Sequence, residues 1–182
     1  MDNEYPEIMV DLETLGTGHD AHILSIGACD LWDVTDTFYC ELLIEDQGRT
    51  LTPETVGWWM SQSTEARQIF FNDPKTKVPM RDGLLAFYKW VIEKQNKHKV
   101  KMWSHGATFD IPMIGHALEQ YGFQTPWKFW NVRDTRTLID TIKKLNSGDP
   151  MQPLREGVHH NAMDDAVHQA LWMQNIMKIL HV

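Results

Sequence analysis

The most constraining feature of this sequence is a short segment, residues 7–13, in which apolar and acidic side chains alternate. Side chains on a strand point alternately to its two faces, so Met9, Asp11 and Glu13 share one face. The opposite face is entirely apolar: Ile8, Val10 and Leu12. Carboxylates rarely lie on a buried strand unless a metal or a partner compensates their charge, although strand-end acids that simply face water are common. The segment predicts a strand whose acidic end lies either at a functional site or in solvent.

Two further strand-like runs, residues 21–32 and 35–44, follow before any long helix. Helical and strand patterns then alternate. They predict helices from Thr52 and over residues 63–71, 81–95, 108–121, 135–145 and 161–180, strands over 100–104 and 129–132, and a loop over 146–157. The order βββαβαβα predicts an α/β fold, with a mixed β-sheet flanked by helices, and we expect residues 1–182 to form a single domain.

Composition and charge exclude several classes of protein. With 182 residues and 42 % hydrophobic side chains, the chain can bury a core. The formal net charge of −8 disfavours binding to duplex nucleic acid through a broad cationic surface, but it allows carboxylates gathered around divalent cations. Because no apolar stretch is long enough to cross a membrane and the N-terminus is acidic, we expect a cytoplasmic protein with reduced cysteines and no membrane partner.

Two later positions can add acids to the pair on the strand. Asp110 lies where a predicted strand gives way to a helix, and Asp165 lies in the first turns of the last helix, five residues after His160. Each acid also suits a helix N-terminus, where it favours the helix dipole, so capping is the alternative interpretation. His159 and Asp164 have the same spacing as His160 and Asp165, and the neighbouring alanines favour the later pair.

Taken together, these residues indicate metal-dependent chemistry. Hard ions such as Mg²⁺ and Mn²⁺ prefer carboxylate oxygens, and a pair of ions needs several of them converging from different elements. Two such ions can activate water and stabilise a leaving oxygen while a nearby histidine takes the proton. Phosphodiester hydrolysis is the reaction that this set fits, with five candidate catalytic residues: Asp11, Glu13, Asp110, His160 and Asp165.

Three segments resemble the motifs of a known family. Residues 10–14 (VDLET), 105–110 (HGATFD) and 160–166 (HNAMDDA) resemble, in the same order, the motifs of the DEDDh (DnaQ-like) 3′–5′ exonucleases, which have a ribonuclease H-like fold. Residues 55–59 and 129–137 are more similar to a branch with phage exodeoxyribonuclease A and bacterial RNase AS-type exoribonucleases. Gly106 departs from the pattern, because many members have Asn there, so an Asn contact to substrate is not carried over.

The resemblance implies roles for individual residues. Two divalent ions, Mg²⁺ or Mn²⁺, would be held by the four acids, with His160 as general base. Thr14 and Leu15 would contact the terminal nucleotide of a single-stranded 3′ end, DNA or RNA, and Phe109 would help to line the site. The enzyme would release that nucleotide as a nucleoside 5′-monophosphate. A homodimer is a further expectation.

A tryptophan pair adds a candidate substrate contact. Trp58 and Trp59 are adjacent on a predicted helix, about 100° apart, so one can stack on a base while the other packs on the sheet. Packing of both rings against the sheet is the alternative, and the sequence does not decide which of the two faces the substrate; Trp58 is our candidate for the cleft. The main alternative function is a catalytically silent module that binds nucleic acid ends or a protein partner, and a third is an endonuclease on the same fold. Magnesium-dependent release of mononucleotides distinguishes an exonuclease from a silent module.

Overall fold

The computed structural model, which describes residues 5–94, 99–145 and 152–180, contains a mixed five-stranded sheet. Its strands are β1 (Glu7–Thr14), β2 (Ile23–Asp30), β3 (Thr37–Glu41), β4 (Lys101–Ser104) and β5 (Val132–Asp134). The order across the sheet is β3-β2-β1-β4-β5. The first three strands pair antiparallel, and β1, β4 and β5 pair parallel, so the acidic strand lies at the centre.

The helices lie over the two faces of this sheet. They are α1 (Pro53–Met60), α2 (Met80–Lys94), α3 (Asp110–Gln120), α4 (Thr135–Lys144) and α5 (Ala162–Leu180). Short 3₁₀ turns cover Ala66–Phe70, Pro74–Thr76 and Phe129–Asn131. Within the described ranges, none of the helices is long and apolar enough to span a membrane. The predicted α/β class, with a mixed sheet flanked by helices, is confirmed.

Strand β1 separates two hydrophobic layers, as its alternation predicts. Its apolar face packs in one cluster with residues of α2 and α3, among them Phe87 and Ile114. On the other face, Met9 packs with Ala166 and Ala170 of α5. Burying an aliphatic or aromatic side chain contributes roughly 1.5–3 kcal/mol, so both layers hold the strand firmly. Asp11 and Glu13 share the face of Met9 and therefore point towards α5.

A glycine in β2 allows α5 to approach the sheet closely. Gly27 is the register partner of Asp11, and a Cβ atom on Gly27 would lie 2.1 Å from the carbonyl carbon of Ala162. Only a residue without a side chain lets the first turn of α5 come this near. The close approach brings Asp165, in that first turn, next to the acidic end of β1.

The helix ends follow the predicted capping chemistry in part. Asn161 Oδ1 accepts hydrogen bonds from the backbone N–H groups of Met163 and Asp164, and so caps α5. Gly122, with φ +75°, follows α3 as predicted. Thr52 stands at the N-cap of α1 without a side-chain cap, because its hydroxyl is bonded to the Thr55 hydroxyl at 2.8 Å.

Several predicted elements differ in kind or length. The strand expected over 129–132 lies further along the chain, at Val132–Asp134, and residues 129–131 form a 3₁₀ turn in which Phe129 and Trp130 are 82 % and 61 % exposed. The helix expected over 63–71 is a 3₁₀ segment only. Strand β2 ends early because Asp30 Oδ1 accepts from the N–H groups of Trp32 and Asp33, which starts a turn.

Strand β3 is shorter than the predicted 35–44, and the first and last residues of several helices shift by one or two positions. Of the predicted loop, residues 152–157 have no regular structure, and residues 146–151 lie outside the described ranges. The predicted end of α2 at Gln95 and both chain termini also lie outside those ranges, as does part of the predicted single domain 1–182.

Candidate active site

Three predicted site residues converge where β1 ends beside α5. One ligand atom each of Glu13, His160 and Asp165 lies within 4.8 Å of the others. Glu13 comes from β1, Asp165 from the first turn of α5, and His160 from the segment that leads into α5. The backbone N–H of His160 donates to Asp165 Oδ2 at 2.9 Å, which couples the histidine segment to the helix. The cluster combines carboxylate oxygens with an imidazole nitrogen, a donor set suited to a divalent ion.

Asp11 and Asp110 complete the acidic set from two sides. Gln169, one turn after Asp165 on α5, donates from Nε2 to Asp11 Oδ1 at 2.8 Å. Asp110 is 3 % exposed at the start of α3, and its Oδ1 accepts the backbone N–H of Leu12 at 3.2 Å. That N–H lies beyond the last residues of β1 that pair with β4, so Asp110 takes the place of a strand partner there. Acids from β1, α3 and α5 thus meet at one end of the sheet.

The electrostatics of the three acids indicate a cation site. Burial raises the pKa of Asp11 well above its ordinary value, and the charges of Asp110 and Glu13 raise it further. Burial, followed by the charge of Asp110, raises the pKa of Glu13 to about 8. Burial raises the pKa of Asp110 to about 7 against the opposing effect of its hydrogen bond from Leu12. Without a bound cation the cluster therefore retains protons near neutral pH.

His160 is held as a neutral imidazole between aromatic rings. Burial, and then the charges of His159 and Arg155, lower its pKa to about 4. Its ring centroid lies 4.7 Å from that of Trp58 and 6.1 Å from that of Trp59, both edge to face. Its backbone has φ +65°, a conformation that non-glycine residues rarely adopt and that is frequent at functional sites.

The geometry also distinguishes the two histidine–aspartate pairs. Asp164 Oδ2 accepts the backbone N–H of Val158 at 2.7 Å, so this acid fastens the preceding segment to α5. The pair whose side chains reach Glu13 is His160 and Asp165, the later of the two alternatives.

A cleft of about 390 Å³ opens beside Glu13. Its lining includes Thr14, Trp58 and Phe109, three of the predicted substrate contacts. Trp58 is 42 % exposed, whereas Trp59 is 2 % exposed and donates from Nε1 to the carbonyl oxygen of Thr14 at 2.8 Å. Trp58 therefore faces the cleft, and Trp59 fastens α1 to the end of β1.

Leu15 differs from the other predicted contacts. It is 6 % exposed and packs in a cluster with Leu24 and Trp59. Its side chain lines a separate cavity of about 210 Å³ rather than the cleft beside Glu13. A contact between the Leu15 side chain and a terminal nucleotide has no support in this geometry, because the turn after β1 directs the side chain into the core.

Two residues at the site have no counterpart among the sequence predictions. Gln169 shares a helix face with Asp165, and that four-residue spacing is the signal that could have found it. Arg155, whose Nη2 forms an ion pair with Asp165 Oδ1, lies on an irregular segment with no pattern to mark it.

Gly106, where many members of the resembled family have Asn, has a structural reason: its φ is +114°, and a Cβ atom there would lie 3.1 Å from Arg136 Nη1.

Comparison with known proteins identifies the family. The model of the 3′–5′ exoribonuclease Rv2179c-like domain matches residues 6–177, almost the whole chain. The chain belongs to this family. It is also similar to an exodeoxyribonuclease of Enterobacteria phage T4, at 24 % identity over an alignment of 205 positions, gaps included, which covers 94 % of this chain and 89 % of the phage protein. The chain is therefore a nuclease of a 3′–5′ exonuclease family, as its motifs predict.

Solved structures show the same fold at low identity. The nuclease domain of 3′hExo, a DEDDh family member bound to rAMP, has a TM-score of 0.59 and 15 % identity, covering 98 % of this chain and 94 % of that one. S. pombe Pop2p in its Mg²⁺- and Mn²⁺-bound form has a TM-score of 0.63 and 14 % identity, covering 97 % and 84 %.

Cell-death related nuclease 4 (CRN-4) has a TM-score of 0.62 and 14 % identity, covering 95 % of this chain. The chain spans only 64 % of CRN-4, so it matches part of that larger protein. Together these likenesses confirm the ribonuclease H-like exonuclease fold and the resemblance to the DEDDh family.

Proposed function

We propose that this chain is a metal-dependent 3′–5′ exonuclease that removes nucleoside 5′-monophosphates from single-stranded nucleic acid. The observation that carries the proposal is the convergence of Glu13, His160 and Asp165 within 4.8 Å, beside a cleft lined by Trp58 and Phe109. Next to a nucleotide-sized cleft with aromatic walls, an acidic set of this kind fits hydrolysis of the terminal phosphodiester of a nucleic acid better than any other reaction of a phosphodiester.

The residues present fit a pair of Mg²⁺ or Mn²⁺ ions. Asp11, Glu13, Asp110 and Asp165 would hold them, because burial and mutual repulsion disfavour the charged forms of Asp11 and Glu13, burial does so for Asp110, and Asp165 places a carboxylate oxygen beside Glu13. Gln169 Oε1, on the side chain that donates to Asp11, is buried with no hydrogen-bond partner in the described part of the chain, as an acceptor beside a hydrated ion would be. When bound, such ions supply Lewis acidity towards the attacking water and the leaving oxygen. Pop2p, a protein of the same fold, has a form with both metals.

His160 accepts the proton in this proposal. A neutral imidazole nitrogen takes a proton from the attacking water as the new P–O bond forms, and the bond between phosphorus and the 3′-oxygen of the preceding nucleotide breaks. The leaving 3′-oxygen takes a proton from solvent and stays on the shortened nucleic acid as a hydroxyl, His160 returns its proton to solvent, and the terminal nucleotide departs as a 5′-monophosphate. Trp58 and Trp59 both contact the imidazole edge to face, and these contacts limit the orientations of its ring.

Single-stranded nucleic acid is the substrate that the cleft suits. Trp58 and Phe109 offer ring faces to an unpaired base, and a paired base would have to unstack first. The relatives indicate both RNA and DNA, since the family is named for exoribonucleases and the phage protein is an exodeoxyribonuclease. We therefore propose single-stranded 3′ ends of RNA and DNA as the substrate class.

Cleavage of matched oligonucleotides tests the proposal. RNA and DNA of one sequence, labelled at either end, are incubated with Mg²⁺ or Mn²⁺. We expect stepwise shortening from the 3′ end, and Asp165→Asn should lower the rate by more than about 100-fold, since even indirect partners of a metal ligand are worth about 10–100-fold. Asp140→Asn, an exposed acid on α4, is the matched control and should leave the rate unchanged.

Other outcomes would contradict the proposal. Internal cuts would indicate an endonuclease, and binding without magnesium-dependent release of mononucleotides would indicate a silent binding module. Sedimentation of the same preparation tests the predicted homodimer, which stays a prediction, as does a cytoplasmic location.

A further inference from the structure

Arg155 is a cation that reaches the carboxylates from an otherwise exposed segment. The neighbouring Leu154 is 92 % exposed, yet the side chain of Arg155 is only 28 % exposed. Its guanidinium turns inward, and Nη2 forms the ion pair with Asp165 Oδ1. Arg155, which precedes His159 and His160 in the chain, thus places a positive charge at the edge of the acidic cluster.

The ion pair leaves Asp165 occupied by the protein itself. Its Oδ1 is paired with Arg155, and its Oδ2 accepts the backbone N–H of His160 at 2.9 Å. A divalent ion that takes Oδ1 as a ligand has to displace the guanidinium, because two cations against one oxygen repel each other strongly at this distance.

Arg155 also acts on acids that it does not touch. Burial lowers the pKa of Arg155, and the charges of Asp11, Asp164 and Glu13 act in the opposite direction. In return, its positive charge opposes the effect of burial on Asp11 and Glu13. The guanidinium is therefore a counter-charge for the cluster as a whole and not for Asp165 alone.

We propose that Arg155 is the counter-cation of the metal-free site, and that divalent ions displace it from Asp165 so that it binds a phosphate of the substrate. This inference rests on the proposed function. A guanidinium presents a planar fork of N–H donors that matches phosphate oxygens, which makes phosphate its natural partner once a metal holds the carboxylates. The scissile phosphate must approach the same acids, within reach of the side chain that has just left them.

Metal binding without nucleic acid tests whether divalent ions displace Arg155 from Asp165. Mn²⁺ is titrated calorimetrically into the full chain and three variants. Arg155→Gln removes the competing charge, so we expect its Kd for Mn²⁺ to fall by about twofold to fivefold, the size of one partly exposed ion pair. Arg155→Lys keeps the charge and should stay close to the parent protein. Arg81→Gln, whose side chain is 60 % exposed beside Asp82, is the matched control and should change nothing.

Binding of the reaction product tests whether the displaced Arg155 binds a phosphate of the substrate. AMP and dAMP contain no phosphodiester bond, so their affinity can be measured in the presence of Mn²⁺ without turnover. We expect Arg155→Gln to weaken monophosphate binding by about tenfold, the size of a charge-assisted hydrogen bond, and to leave adenosine binding unchanged. The same variant should thus bind metal more tightly and phosphate more weakly, a pattern that simple loss of structure does not produce.

Each result decides the inference. If the parent protein and Arg155→Gln bind Mn²⁺ equally, displacement is wrong while the metal site of the proposed function stands. If metal affinity rises but monophosphate affinity is unchanged, transfer to phosphate is wrong. If the parent protein binds no Mn²⁺, the proposed metal site and this inference both fail. Should Arg155→Gln not fold, Arg155→Lys still decides the phosphate step, because a lysine cannot form the bidentate contact and should weaken AMP binding.

Discussion

At the scale of single residues, Trp58 has two contacts that matter for function. Its indole packs edge to face on His160 and also forms a wall of the cleft beside Glu13. The first contact limits the orientations of the imidazole, and the second offers a surface for the terminal base. A substitution of Trp58 therefore affects both the orientation of His160, the proposed proton acceptor, and the binding of substrate.

We expect Trp58→Ala to raise KM for a single-stranded oligonucleotide by about fivefold to 100-fold, since stacking on an aromatic side chain is worth about 1–3 kcal/mol per base. Trp58→Phe keeps a ring face and should recover most of the loss. Steady-state kinetics measure both variants. Trp32→Ala is the control, because Trp32 is 43 % exposed, almost as much as Trp58, but lies at the opposite end of β2 from the site. An equal loss in both alanine variants would mean that Trp58 has no specific role.

The acids of the site could be predicted from local pattern because each one breaks or caps a regular element. Asp11 and Glu13 interrupt the apolar alternation of a central strand, Asp110 is the first residue of α3, and Asp165 lies in the first turn of α5. Gln169 and Arg155 could not be found in this way. Their contacts depend on how α5 and the segment before it sit against β1, which is a property of tertiary packing.

At the scale of secondary-structure elements, the contact between β2 and α5 decides whether the acids meet. Asp165 reaches Glu13 only if the first turn of α5 lies directly on the sheet, and Gly27 makes that approach possible. The contact belongs to the backbone of Ala162, which cannot move aside as a flexible side chain would.

We expect Gly27→Ala to destabilise the protein by about 1–3 kcal/mol or more, the usual cost of overpacking a core, and to weaken metal binding because α5 is pushed from the sheet. Gly57→Ala on α1 is the control. A Cβ atom there meets nothing within 4 Å, so this change should raise stability by about 0.5–1 kcal/mol through helix propensity. Urea unfolding with and without Mn²⁺ measures both effects. A Gly27→Ala variant as stable as the parent protein would falsify this account of the α5 contact.

The longer elements could be predicted from periodicity, whereas the short ones could not. Strand β1 and helices α2 and α5 show the alternation or helical spacing of elements buried on one or both faces. The 3₁₀ turn at Phe129–Asn131 resembles a strand in composition, but its rings face solvent and Asn131 N–H bonds back to Lys128. Aromatic residues favour strands only where a sheet surface covers them, and the local sequence does not say whether one does.

At the scale of the whole molecule, folding gathers like charges that the unfolded chain keeps apart. The strand order puts β1 at the centre, and α3 and α5 bring their acids to its end from different parts of the sequence. Local pattern does not reveal this order, because the parallel pairing of β1 with β4 joins segments about 90 residues apart. The resulting crowding of carboxylates makes the stability of the molecule depend on pH and on metal.

The sign of this dependence follows from the shifted pKa values. Folding raises the pKa of Glu13 from 4.5 to about 8 and that of Asp110 from 3.8 to about 7, so the folded state holds more protons and loses stability as pH rises towards 8. His160, with its pKa lowered from 6.5 to about 4, acts in the opposite direction, but its contribution is complete by about pH 7. The carboxylate effect therefore dominates between about pH 7 and pH 8, below the range in which the buried thiols of Cys29 and Cys40, with pKa values raised from 9.0 to about 12, add to it.

We expect the Tm of the metal-free protein to fall across this window by about 2–4 °C per pH unit, because one proton contributes about 1.4 kcal/mol per unit and a protein of this size loses about 2–4 °C per kcal/mol. Saturating Mn²⁺ should raise the Tm and remove the fall, since the bound ion takes the place of the protons. Differential scanning calorimetry in EDTA and in Mn²⁺ measures the two profiles. Glu13→Gln, which removes one of the titrating acids and leaves Asp11 and Asp110, should make the EDTA profile less steep, and parallel slopes with and without metal would show that the acids at the end of β1 do not act as one cation site.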